Sequence, residues 1–139
     1  MRSFKIERPP TAFTLAFRYR RPRQRAGLHL KWIRTLPCII CGKRGNIHAA
    51  HLRAASLPHG KLATGLAQKP DDAWTLPLCP DHHVLGEEAQ HRTEELTFWK
   101  DHTIDPFADA LALWRASGDD EIGFVVISEN ARRKVPSVN

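Results

Sequence analysis

Three cysteines and one histidine carry the most specific chemistry in this 139-residue chain. Cys38 and Cys41 stand at C-x2-C spacing, and Cys79 and His82 at C-x2-H spacing. Each pair can chelate from one turn. Thiolate and imidazole are the donors zinc prefers, so the four together make a closed tetrahedral structural zinc site. That site uses every cysteine in the sequence. A redox pair at Cys38 and Cys41 is the competing assignment, but no strand-helix-strand pattern surrounds it and the His-rich second half would go unexplained. A disulfide framework fits worse, because three is an odd count and the first ten residues lack the apolar stretch of a signal peptide. Both features point to a reducing compartment, the cytoplasm.

The charges that surround this site are unevenly distributed. The net charge is +6, yet residues 1–69 carry fifteen Lys or Arg against the single acid Glu7, while residues 70–139 carry six basic and fourteen acidic side chains. A basic half beside an acidic, His-rich half suits a protein that grips phosphates with one surface and holds a cation with another. Arg18, Arg20, Arg21, Arg23 and Arg25 crowd around one tyrosine and one proline, a composition that cannot pack into a core. The segment is therefore exposed, as an arm contacting nucleic acid through bidentate phosphate contacts or as a solvated linker. No apolar run reaches membrane-spanning length, so no membrane partner is expected.

The elements that must position these residues follow from hydrophobic spacing and punctuation. Alternating Phe13, Leu15 and Phe17 predict a strand over 11–17, or an arm that orders only on a partner. Leu30, Trp32, Ile33 and Leu36 predict a short helix that Pro37 stops before the Cys38 turn. Short strands are expected at Asn46–Leu52 and Trp74–Leu78, the second delivering Cys79. A helix begins near Pro80 and meets Gly86. Further helices are expected over 88–102 and from Asp105, as cap, and Pro106 to about Ser117, with Phe107, Leu111 and Trp114 on one face and Gly118 as its end. Ile122–Ile127 reads as an apolar strand, and Arg132 to Lys134 as part of a loose tail. His29, His59 and His102 have no partner at ligand spacing and are expected to be surface or capping groups. The four tryptophans are expected in the core, with Trp32 near enough to the basic segment to meet a base instead.

Cys38-x2-Cys41, Ala49-Ala-His-Leu52, Lys69-Pro-Asp-Asp72, Leu76-Pro-Leu-Cys79, His82-His83, His91 and Phe98-Trp99 together resemble the HNH endonucleases, in particular the phage and prophage branch with a structural zinc knuckle. The resemblance covers about residues 29–117. It implies an α+β fold with a small ββα-metal (His-Me finger) core and zinc knuckle flanked by helices. The chain would then divide into a basic arm over 1–28, the nuclease domain over 29–117, and a C-terminal strand and tail over 118–139. It also implies a cytoplasmic, bacterial or phage-encoded protein that hydrolyses phosphodiester bonds of DNA as an endonuclease or nickase. Carried over, His51 is the general base, and His83 and His91 hold a catalytic divalent metal, Mg, Mn, Ni or Zn. An imidazole that titrates near neutrality suits the first task, and a cation that stabilises phosphate charge suits the second.

The sequence departs from the family pattern in three places. Ala50 stands where a ligand usually precedes the base, and His48, three residues before His51, is expected on the opposite side of the strand. Trp74 and Thr75 replace the expected asparagine, which leaves Asp72 as the local candidate for polar support. An unbroken helix would separate His83 from His91 by about 12 Å, so the helix must be interrupted at Leu85–Glu88 around Gly86. Otherwise Glu87 takes the ligand position. A non-catalytic, zinc-stabilised DNA-binding module is the alternative function, kept open by Ala50. A zinc peptidase would need an H-E-x-x-H helix that the sequence lacks.

Overall fold

The computed structural model describes residues 23–64 and 69–133. The strand expected over 11–17, Arg18, Arg20, Arg21 and Lys134 lie outside the described residues.

The described chain is α+β, with helices packed on a two-stranded antiparallel sheet. Helix α1 spans Gly27–Ile33 and turns Trp32 and Ile33 inward. Strand β1, His48–His51, pairs with β2, Thr75–Leu78, in the register His48 to Leu78 and His51 to Thr75. Two strands alone are marginal in water. All four residues of β2 are buried, because the core formed by Ile33, Leu36, Leu76, Leu78, Trp99 and Leu113 closes over the sheet.

After β2, Asp81–Leu85 forms a π-helical turn, closed by Gly86 N donating to Asp81 O at 2.9 Å. A short 3-10 turn follows at Gln90–Arg92. The helix expected over 88–102 is therefore confined to α2, Glu95–Asp101. Its boundary has a local cause: the Glu94 carboxylate accepts from Leu96 N and Thr97 N, capping the helix there. Helix α3, Pro106–Arg115, begins as expected, with Asp105 accepting from Phe107 N and Ala108 N and proline in the first turn. Its buried face runs through Phe107, Ala110 and Leu113, whereas Leu111 and Trp114 are half-buried. Gly118, at φ +88°, takes the left-handed turn that follows.

The strand expected at Ile122–Ile127 and the tail expected at Arg132 are instead one helix, α4, Asp120–Arg133. The Asp119 carboxylate accepts from Ile122 N at the helix start. Gly123, Ile127 and Asn130 then recur at helical spacing and are buried. A Cβ on Gly123 would lie 2.8 Å from Trp32 Cζ2, so α4 approaches α1 at the one position without a side chain. Trp32 Nε1 donates to Asp120 Oδ1 at 2.8 Å and ties the same two helices together. Tertiary packing has overridden the β propensity of Ile122, Val125, Val126 and Ile127. Among the described residues, no helix is long and apolar enough to cross a membrane.

Candidate functional site

The turn after Pro37 folds back on itself, with Cys38 N donating to Lys43 O at 2.9 Å and Gly42 N to Cys38 O at 2.8 Å. Gly42 sits at φ +73°, a conformation glycine adopts without strain. Ile39 N donates to Pro77 O at 3.0 Å, which docks the turn against β2. The chain then runs from β2 directly into Cys79, and the π-helical turn brings back His82.

The result is one compact group, Cys38, Cys41, Cys79 and His82, whose ligand atoms all lie within 4.8 Å of one another. Cys41 Sγ is 3.8 Å from Cys79 Sγ, and His82 Nδ1 is 3.8 Å from Cys38 Sγ and 3.1 Å from Cys79 Sγ. A tetrahedron built on zinc–sulfur bonds of about 2.3 Å has edges of about 3.8 Å, so these separations fit the ion. They exclude a disulfide, whose sulfurs lie about 2.05 Å apart. Burial pushes the Cys38 thiol up to about 11, so a cation is what would hold that sulfur as thiolate. The group can hold a metal ion such as zinc, with His82, edge-on to His102 at 5.7 Å between ring centroids, as its only nitrogen donor.

A second cluster lies on the other side of His82 in sequence. His83 Nδ1 is 2.9 Å from His48 Nδ1, and the His83 and His91 rings meet edge to face at 4.6 Å between centroids. His48 was expected on the opposite side of its strand. It reaches His83 because it pairs with Leu78, at the end of β2 from which the π-helical turn departs. The interruption at Gly86 is present: Gly86 has backbone angles of −66° and 155°, and the chain then turns back to place His91 on His83. Glu87 is exposed. Burial, followed by the fields of His91, His48 and His51, depresses the His83 pKa to about 4. His83 is therefore neutral, the form that binds metals.

His51 closes the cluster at the far end of β1. Its Nε2 is 2.9 Å from Asp72 Oδ1. Asp72 is buried, and its second oxygen accepts from Ala26 N at 2.8 Å. Burial alone would raise the Asp72 carboxyl, but Ala26 N–H, His51 and Arg23 together hold it below the usual carboxylate range. Burial lowers the His51 pKa; the hydrogen bond it donates to Asp72 and the charge of that carboxylate oppose the shift, and the charges of Arg23 and Lys69 add to it. A shallow cavity of about 210 Å³ beside His51 is lined also by Arg53, Gln90, His91, Thr93 and Glu95.

Several side chains take roles that the sequence pattern did not suggest. Arg23, expected on a phosphate, is turned inward: its guanidinium pairs with Asp72 and Nε donates to Pro70 O at 2.8 Å. Arg25 is exposed. Glu95 accepts from Arg53 N at 3.0 Å and Ala54 N at 2.7 Å, and Gln90 Nε2 bridges Glu95 to His51 O. Apart from Gln90 with Glu95, these contacts join residues about forty positions apart, so no local spacing marks them. His29, expected at the surface, is buried with Nδ1 2.8 Å from Ser117 Oγ and its ring edge-on to Trp114. His59 stacks on Phe107, and His102 is the residue at which α2 ends.

No curated protein and no solved structure matches the chain. One family model does match, over residues 3–103, a span that takes in Cys38, Cys41, Cys79 and His82 together with His48, His51, Asp72, His83 and His91 and stops before α3 and α4. The chain belongs to that family, DUF968, described as a protein of unknown function.

Proposed function

We propose that the protein is a metal-dependent DNA endonuclease or nickase that hydrolyses phosphodiester bonds. In this reading β1, β2 and the π-helical turn form a ββα-metal core of the HNH kind beside a structural zinc knuckle. The observation that carries it is the 2.9 Å approach of His48 Nδ1 to His83 Nδ1, with His91 on the same ring and His51 at the other end of the strand. Two ring nitrogens at that distance share either one proton or one cation.

His48, His83 and His91 would hold a divalent ion, and an all-imidazole set suits Zn or Ni better than Mg. Such an ion, when bound, supplies charge neutralisation at a phosphate and its leaving oxygen. His51 has its own task. Its Nε2 faces the Asp72 carboxylate, which accepts only, so Nε2 carries the hydrogen and Nδ1 keeps the lone pair that takes a proton from water. Its depressed pKa keeps it neutral near pH 7, ready to act as base. His91 is exposed while His48, His51 and His83 are half-buried, so the cluster opens to the surface, where a polymer can reach it.

A non-catalytic, zinc-stabilised DNA-binding module is the second reading. It is favoured by one fact: among the described residues, the Cys38, Cys41, Cys79 and His82 group alone brings three or more donors within 4.8 Å of one another. Supercoiled plasmid incubated with the zinc-loaded protein and added Mg²⁺, Mn²⁺, Ni²⁺ or Zn²⁺ separates the two. Nicked or linear product that disappears in His51→Ala supports the enzyme, and binding without cleavage under every metal supports the module.

A further inference from the structure

Residues 23–26 lie against the turn at 70–72 through a dense set of contacts. Arg23 Nε donates to Pro70 O at 2.8 Å, Gln24 N to Asp71 Oδ1 at 2.7 Å, Asp72 N to Gln24 O at 3.1 Å and Ala26 N to Asp72 Oδ2 at 2.8 Å. Arg23 Nη2 and His51 Nε2 meet on the same oxygen, Asp72 Oδ1. The two nitrogens are themselves 3.5 Å apart. Both must be donors, since guanidinium has no lone pair to offer and a carboxylate oxygen 2.9 Å from the imidazole accepts. The Arg23 and Asp72 side chains are 26% and 3% exposed, so the shared carboxylate is shielded from water and the pairing is weakly screened.

We propose that Arg23 is a positioning residue acting on His51 through Asp72: by sharing Oδ1 it fixes the imidazole as the Nε2–H tautomer and limits how far the carboxylate can stabilise an imidazolium. This rests on His51 being the base of the proposed function. An Asp72 carboxylate held by His51 alone would orient the ring but also favour its protonation. Arg23 preserves the orientation while offsetting that charge, and a base must be unprotonated before it can act. The other charged or titratable groups facing His51 are Lys69, His83 and, across the cavity, Arg53, His91 and Glu95. The Asp72 oxygens are held by Arg23, His51 and the Ala26 N–H.

The test reads His51 directly, by nitrogen and proton NMR of the zinc-loaded full chain, before any cleavage is measured. The wild type should show the Nε2–H tautomer; a majority Nδ1–H form would overturn the proposal without any variant. Arg23→Met should raise the His51 midpoint by about one pH unit, the usual size for a charge within about 4–6 Å. Arg23→Lys should restore most of the wild-type titration. A His51 midpoint unmoved in Arg23→Met, with only a lower unfolding temperature, would make Arg23 a structural clamp and sink the proposal. If the Met variant fails to fold, the tautomer and the Lys variant decide: a Lys variant whose midpoint rises by a full unit contradicts the charge argument. A wild type with the expected tautomer and shifts but no nuclease activity would remove the enzymatic reading and leave the coupling standing.

Discussion

His48 Nδ1 and His83 Nδ1 lie 2.9 Å apart although 35 positions separate them in the chain. Two imidazole nitrogens at this distance either share one proton or, under the proposed function, turn both lone pairs on one divalent ion. His48→Ala and His83→Ala should therefore each weaken binding of a second metal by tenfold or more in a Co²⁺ or Ni²⁺ titration, while zinc at the knuckle remains. Equal second-metal affinity in His48→Ala and wild type would remove His48 from the site.

The knuckle is expected to be structural. Purified protein should carry about one tightly bound zinc, and Cys79→Ser should broaden and lower its unfolding transition, because structural zinc contributes on the order of 10 kcal/mol of folding free energy in small domains. Metal analysis that finds no zinc in folded protein would contradict this. Cys38 provides a further check. It is buried whereas Cys41 is exposed, so in the folded protein alkylation should reach Cys41 before Cys38.

The ligand pairs were legible because each is a local spacing, and the strands ending near them were legible because β-branched and apolar residues are bounded there by Pro, Gly and Asp. The interruption at Gly86 was also legible, from the arithmetic of helix rise between His83 and His91. What could not be seen depends on approach between distant segments. Arg23 reads as one more arginine in a basic run until its Asp72 partner is known, and no local pattern marks a contact such as that of Glu95 with Arg53 N and Ala54 N. Ile122–Ile127 reads as a strand because its side chains favour one; its helical state comes from Gly123 meeting Trp32.

That last contact predicts the outcome of Gly123→Val. Valine would favour a strand at this position, but in α4 its side chain must enter space where even a Cβ comes within 2.8 Å of Trp32 and 3.0 Å of Leu36. Overpacking of this kind costs about 1–3 kcal/mol, and valine in a helix recovers little of it. The variant should unfold at lower denaturant with an unchanged slope. A neutral or stabilised variant would contradict the packing of α4 on α1.

Acid should destabilise the protein through His29. Burial lowers its pKa in the folded state, so the unfolded chain binds the proton first as pH falls. Its contribution is complete above about pH 6.5, declines as pH falls from there to the folded-state pKa, and is constant below that. His51 and His83, also lowered, act in the same direction. His29→Gln should keep a polar partner for Ser117 and flatten the decline in unfolding free energy between pH 7 and 5. Parallel curves for variant and wild type would show that His29 is not a source of the acid sensitivity.

Gly86→Ala tests whether the π-helical turn sets the histidine cluster. A Cβ at Gly86 would lie 2.5 Å from Asp81 O, a backbone atom that also accepts the hydrogen bond from Gly86 N at 2.9 Å. Neither partner can move without opening the turn, so the substitution should cost about 1–3 kcal/mol, a loss of several degrees in unfolding temperature. Cys79 precedes the turn, His82 lies inside it and His91 is reached only after it, so the contact of His91 with His83 should be lost while zinc stays on the three cysteines and is held less tightly. Second-metal affinity should fall with that contact, and any plasmid cleavage should fall with it. An alanine variant with wild-type stability and wild-type second-metal affinity would mean that the turn does not position His91.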